Sequence, residues 1–275
     1  MRVTGKRFFI ANDFRASFCS SSNTVSDDNS YDIVVNGGGI VGFSFLALAN
    51  SLPLLSKKRI LLLEQQKEPK FAVENDNSEL ERKFSNRVFS ITNASRQLFE
   101  DIDVWDKIAP YAKWVDGMHV WSEHYQNSVH FGSADPLGDE PTCTIIENDR
   151  MLRAIYEKLK SIPSTNEQIK YETAIIDIEQ LKTSNDDQQS PIIYLKTLNK
   201  NQQTERKISA KLLIGCDGFK SLVRSKSTLP YHEYEIAQMG IVGNVQIDSP
   251  FVDNSVAFQR FVHFFCQLTK PTTIL

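Results

Sequence analysis

Apolar residues are spread unevenly along the 275-residue chain. Tyr31–Asn36 (YDIVVN) is a short, nearly continuous apolar run, as expected of a parallel strand covered on both faces. Three glycines follow, then Ile40–Ser51, apolar nearly all round, which predicts a buried helix stopped by Pro53. Arg59–Glu64 (RILLLE) repeats the strand pattern. From Ile33 to Ser56, 24 residues pass without a charge, a length that could span a bilayer. Gly37, Gly38 and Gly39 break helical continuity, and Asn36, Asn50 and Pro53 suit lipid poorly. The stretch therefore reads as strand, tight turn and buried helix.

Further along, Gln65–Asn86 is polar, with Glu74, Asp76, Glu79 and Glu81 at no clear period, and reads as a solvated loop or weak helix. Asn86–Thr92 (NRVFSIT) leads into a helix through Ser95–Phe99, and strand-like pieces lie at Gly117–Trp121 and Ser128–Phe131. Asn148–Leu159 is amphipathic, with Met151, Leu152, Ile155 and Leu159 on one face and Asn148 where a cap would stand. Tyr171–Leu181 and Ile192–Leu198 predict a long hairpin across the polar Lys182–Pro191. Lys211–Cys216 (KLLIGC) predicts another buried strand, closed by an Asp217-Gly218 turn, with Ser221 as a helix cap and Arg224 in the helix that follows. Strands alternating with helices make this an α/β chain with a parallel sheet.

Chemistry enters at the first turn. Gly37, Gly39 and Gly42 match G-x-G-x-x-G: the first glycine permits the sharp turn, the second lets backbone approach a pyrophosphate, and the third lets helix pack on strand. The helix N-terminus then faces the anion. Glu64 ends the second strand 22 residues after Gly42, near the separation of about 20 at which an acid accepts hydrogen bonds from a ribose diol. Strand, glycines, helix, strand and acid together predict a dinucleotide site, and leave open which dinucleotide it takes.

Composition narrows the class. The chain is 41% hydrophobic and 24% charged, with a formal net charge of -3, as in ordinary globular proteins. Residues 1–26 carry Arg2, Lys6, Arg7 and Arg15 against Asp13 alone, among serines and phenylalanines, the composition of a mitochondrial transit peptide. The rest is acidic and offers nucleic acid no electrostatic footprint. Cys19, Cys143, Cys216 and Cys266 lie far apart without a CxxC pair, which argues for free thiols. His119, His124 and His130 stand at spacings that place no two on one helical face, so no metal site is expected. Tyr156 and Lys160 reproduce the Tyr-x-x-x-Lys spacing of short-chain dehydrogenases, but the helix surface explains both, and the glycine pattern of those enzymes differs. GxSxG and GK[ST] are both absent, which excludes serine-hydrolase and P-loop readings.

The segment Gly215–Arg224 reads G-x-D-G-x-x-S-x-V-R. Lying far downstream of an N-terminal GxGxxG, it resembles the second fingerprint of the FAD-dependent aromatic hydroxylases. The resemblance narrows to the ubiquinone-biosynthesis hydroxylases, closest to their mitochondrial branch. SNRVFSIT (Ser85–Thr92), VWDKI (Val104–Ile108), IENDRMLRAI (Ile146–Ile155 and its preceding Ile145), KLLIGCDGFKSLVR (Lys211–Arg224) and AFQRF (Ala257–Phe261) fall in that family's order, over about 230 residues from Tyr31 to Phe261. The resemblance implies FAD as cofactor, with Asp217 and Gly218 near its phosphates, Asn148 beside the pyrophosphate and Arg87 at the flavin. Without the resemblance, Arg87 reads as a surface arginine.

The implied activity is hydroxylation of the aromatic ring of a polyprenylated hydroxybenzoate-type ubiquinone precursor by way of a flavin hydroperoxide. Its needs would be molecular oxygen, an external electron donor (NADPH or a ferredoxin system), other ubiquinone-biosynthesis proteins and peripheral contact with the matrix side of the mitochondrial inner membrane. The chemistry belongs largely to the cofactor, and no side chain is assigned as catalytic acid or base. Two departures stand out. Asn36 replaces the apolar residue usual before the first glycine. The family's third fingerprint, Gly-Asp followed by a His-Pro pair, has no counterpart, since the only Gly-Asp, Gly138-Asp139, precedes the second fingerprint.

The expected organisation is a transit peptide over 1–29, a Rossmann-like FAD-binding domain in two parts (30–110 and 144–226), substrate-domain strands over 111–143, and the start of an α+β substrate domain, shortened, over 227–275. A shortened, inactive FAD-fold form with a partner-binding role and an NAD(P)-dependent dehydrogenase are the alternatives.

Overall fold

The computed structural model describes residues 27–71, 85–121, 128–130, 141–179, 192–198, 204–227, 230–234 and 242–243, together with the backbone of 131–132, 245–246, 256–260, 263–265 and 273–274. The basic segment 1–26, the acidic positions from Glu74 to Glu81, most of the hairpin connection, Cys19, Cys266, His124 and Gly138-Asp139 lie outside the described residues.

The first unit follows the apolar pattern closely. Strand β1 (Ser30–Asn36) leads through the glycines into α1 (Ile40–Ser51), and β2 (Ile60–Leu63) follows. Val34 and Val35 are both fully buried although they point to opposite faces, which is why the run is continuously apolar. Ile33, Val35, Ile60 and Leu62 pack under α1 and α4 (Asn148–Lys160), against Phe43, Leu46, Met151 and Ile155. Each such side chain contributes about 1.5–3 kcal/mol by leaving water. Val34, Leu61 and Leu63 pack instead on Ile175, Ile193, Leu195 and Ile208.

Those partners come from β9 (Thr173–Glu179), β10 (Ile192–Thr197) and β11 (Glu205–Gly215). With the two-residue β8 (Ile169–Lys170), they complete a six-stranded sheet in the order β8-β2-β1-β11-β10-β9. Its first four strands are parallel and the hairpin β9–β10 is antiparallel. Strand β11 serves both halves: Glu205–Ser209 pairs with β10, and Ser209–Gly215 pairs with β1.

The expectation of a buried strand at Lys211–Cys216 needs correcting. The strand starts at Glu205, and Leu212 is 52% exposed; β10 runs beside β11 only as far as Ser209. A second correction concerns α4, where the cap position is Glu147 and Asn148 is the first helical residue. The Asn148 side chain turns to Asp149 (2.9 Å) rather than to the helix amides.

Three strands, β3 (Val88–Ile91), β4 (Lys113–Val115) and β7 (Cys143–Glu147), form an antiparallel sheet with β7 central. Between its members lie α2 (Asn93–Asp101), capped by the Thr92 hydroxyl, and α3 (Trp105–Ile108). Strands β5 (Gly117–Trp121) and β6 (Ser128–Gly132) join β13 (Val256–Arg260) and β14 (His263–Phe265) in a separate sheet, and β12 (Val245–Gln246) pairs with β15 (Thr273–Ile274). Among the described residues, no helix is long and apolar enough to cross a membrane. The uncharged stretch is strand, turn and a 12-residue helix. The short helix α5 (Thr165–Gln168) leads into β8, and α6 (Leu222–Lys226) follows β11.

Candidate dinucleotide-binding site

At the end of β1 the chain must turn sharply to enter α1, and Gly37 does so at φ +110°, a conformation that favours glycine. Its N–H donates to the Leu63 carbonyl (2.8 Å). A Cβ on Gly37 would stand 2.3 Å from the Cys216 carbonyl oxygen, and one on Gly42 would stand 1.9 Å from the Gly37 carbonyl oxygen. These two glycines are therefore demanded by packing of the turn on β11 and on α1. Gly39 differs: apart from its chain neighbours, no atom of the described residues lies within 4 Å of its would-be Cβ. It occupies the cap position of α1 with no side-chain cap bond. The first amides of a 12-residue helix thus face open space, the arrangement that receives a pyrophosphate.

Glu64 follows β2, and its carboxylate is held in place by two backbone amides, Gly38 on one oxygen and Gln66 on the other, both at 2.6 Å. The acid is thereby locked to the glycine turn, with lone pairs remaining for a diol.

The second turn abuts the first. The Cys216 N–H donates to the Asn36 carbonyl (2.7 Å). Asp217 Oδ2 accepts from Asn36 Nδ2 (3.1 Å) and from the amides of Leu222 (2.7 Å) and Val223 (3.3 Å), while Ser221 Oγ donates to Oδ1 (2.6 Å). Ser221 caps α6 as expected, accepting from the Arg224 amide. Gly218, at φ +79°, has open space where a side chain would stand. The Cys216 thiol is a free cysteine whose pKa is pushed up by burial and by the neighbouring Asp217 charge.

Arg87 and Asn148 form a second group, joined by the Asn148 N–H donating to the Arg87 carbonyl (2.9 Å). Arg87 is exposed, its guanidinium 5.9 Å from the Phe89 ring centre. Beneath them Glu147 is buried, accepts from the Ser85 amide (2.6 Å) and faces Arg150 (3.7 Å), which lies over the Tyr111 ring at 4.0 Å. No hydrogen bond joins this group to the glycine turn among the described residues; both rest on the core where α4 packs against α1. Sequence reasoning missed Glu147 and the pairing of Asn36 with Asp217. The only local signal was a polar residue closing an apolar strand.

The other candidates resolve into structure. Tyr156 and Lys160 both bind Glu68, at 2.5 and 2.6 Å. His119 and His130 are cross-strand neighbours, and no cluster of metal-ligating side chains occurs among the described residues.

Residues 73–274 match the family described as FAD binding domain. The chain belongs to that family. Among curated proteins it is similar to the mitochondrial ubiquinone biosynthesis monooxygenase COQ6 of Drosophila melanogaster, 32% identical over 236 residues that cover 84% of this chain and 45% of the relative. The protein of the same name from Danio rerio is 28% identical over 258 residues, 92% of this chain and 49% of the relative. Among solved structures, a flavoprotein/dehydrogenase from Cytophaga hutchinsonii matches with a TM-score of 0.58 and 14% identity, covering 89% of this chain and 55% of the other. That likeness concerns the fold. The chain spans about half the length of the curated relatives it matches. FAD is the cofactor the family implies, and the uncapped α1 terminus with open space at Gly39 and Gly218 fits the anionic middle of such a dinucleotide.

Proposed function

We propose that this chain is the FAD-binding portion of a monooxygenase that hydroxylates the ring of a polyprenylated hydroxybenzoate-type precursor of ubiquinone. The observation that carries the reading is the interlock of two turns: the glycine motif and Asp217-Gly218 share hydrogen bonds through Asn36 and Cys216, in a member of the FAD-binding family whose relatives bear the monooxygenase name.

Bound FAD supplies the oxygen-activating and electron-transfer chemistry. The protein's part is binding and orientation. Gly37 and Gly42 shape the turn, the amides beyond Gly39 and the backbone at Gly218 receive the pyrophosphate, and Glu64 accepts from the adenosine ribose. Asn148 stands by the pyrophosphate and Arg87 toward the flavin. In this reading the FAD-binding domain comprises 30–110 and 144–226, interleaved with a substrate domain. Oxygen, an external donor such as NADPH or a ferredoxin system, and matrix-side contact with the inner membrane complete the picture; the mitochondrial names of the relatives support the location.

The test is to purify the chain, record its visible spectrum, and titrate the apo form with FAD. A stoichiometric flavin complex is the expected result. A longer form carrying the same residues should then add one oxygen to a prenylated hydroxybenzoate, read by mass. A folded chain that takes up no FAD overturns the assignment of these residues.

A further inference from the structure

The Asn36 side chain reaches across 181 residues of sequence to Asp217. It does so where two chain segments are already forced together: Asn36 is opposite Gly215 in the β1–β11 ladder, and Gly37 leaves no room for a Cβ beside the Cys216 carbonyl. Asp217 Oδ2 takes three donors, two of them the amides that open α6. With Ser221 on Oδ1, the carboxylate has little acceptor capacity left for a ligand. Asp217 in this chain therefore works mainly as a clamp on the turn that leaves the Gly218 backbone open.

We infer that Asn36 is a positioning residue that couples the two dinucleotide turns: its amide fixes the Asp217 carboxylate, so that the glycine turn and the Gly218 turn are set together around the cofactor. An apolar residue at this position would leave the carboxylate one donor short, held by the α6 amides and Ser221 alone and no longer tied to the end of β1. The inference rests on the FAD reading for its binding consequence, but not for the bond itself.

The experiment is a double-mutant cycle on Asn36→Val, Asp217→Ala and the pair, with Asn36→Ser as a second probe should the valine variant fold poorly. Two quantities are read: the FAD dissociation constant of the apo chain, and hydrogen exchange at the Leu222 and Val223 amides without FAD. Loss of a hydrogen bond to a charged acceptor predicts roughly tenfold weaker FAD binding and faster exchange at both amides in Asn36→Val. The same change should add nothing further in the Asp217→Ala background, where no side-chain acceptor remains. Unchanged exchange, or effects of the two substitutions that simply add, would overturn the inference. If the wild-type chain takes up no FAD, the proposed function fails while exchange alone still decides the role of Asn36.

Discussion

The sharpest prediction contrasts Gly42→Ala with Gly39→Ala, three residues apart in one motif. At Gly42 the added methyl would stand 1.9 Å from the Gly37 carbonyl oxygen and 3.4 Å from the Cys216 Cβ. The first of these neighbours is backbone, so α1 must lift or the turn must open. Opening the turn releases the Gly37 amide from Leu63 and the Gly38 amide from Glu64, at about 1 kcal/mol for the first and about 1.5–3 kcal/mol for the charged second. Overpacking adds about 1–3 kcal/mol. A loss of about 3.5–7 kcal/mol is a large share of the roughly 5–15 kcal/mol typical of domains. At Gly39 an added Cβ meets no atom of the described residues within 4 Å beyond its chain neighbours, and φ is -79°, so alanine costs only a weaker cap, about 1 kcal/mol or less. Denaturant unfolding and FAD titration on the two variants form the assay. Gly42→Ala should unfold early, and Gly39→Ala should stay folded but bind FAD at least tenfold more weakly. Equal unfolding midpoints for the two would refute the division of labour drawn from the geometry.

Other outcomes follow from the same contacts. Glu147→Ala removes the buried carboxylate that faces Arg150 and accepts from the Ser85 amide and should cost about 3–5 kcal/mol in chemical unfolding, well beyond the effect of any exposed pair. Tyr156→Phe removes the bond to Glu68 and should leave FAD affinity within twofold, whereas a dehydrogenase-type role for Tyr156 and Lys160 predicts loss of function. Asp32, held below its ordinary pKa chiefly by its bond to Lys211, and Glu68, held low by Lys160 and then Tyr156, contribute stability at neutral pH that is lost as pH falls through their folded values. Both pairs are exposed, so each is worth under about 1 kcal/mol, and thermal midpoints between pH 6 and 3 should respond to salt. On the alkaline side, the bond to Glu179 followed by burial pushes the Tyr194 phenol up to about 12, and burial foremost raises Tyr156 and Tyr171. The stability they add is complete below about pH 10 and lost above it, and a phenolate absorbance titration should show these three late.

The first strand, turn and helix were legible because both faces of β1 are buried and because glycine is the residue a positive φ requires. Strand β8 was not, since two residues carry no periodicity. Strand β11 was read from its apolar second half; its first half alternates because it pairs with the hairpin, and nothing local announces that one strand serves two partners. Residue type points to Asn148 as the cap, yet the helix already includes it and its side chain turns to Asp149. The bonds of Asn36 to Asp217 and of Glu147 to Ser85 span 181 and 62 residues, and no window along a chain could display them.

The place of β11 beside β1 has a consequence for synthesis on the ribosome. Ser30 pairs with Ser209 and Asn36 with Gly215, so β1 waits for its central neighbour until almost 180 further residues have been made. At about 5–20 residues per second this takes on the order of 10 to 40 seconds. During that interval β1, α1 and β2 present an open, apolar strand edge to the cytosol or to a chaperone, and the glycine turn has no second turn to lean on. A nascent chain arrested before residue 205 should therefore be protease-sensitive through Tyr31–Leu63, and one released past residue 227 should not.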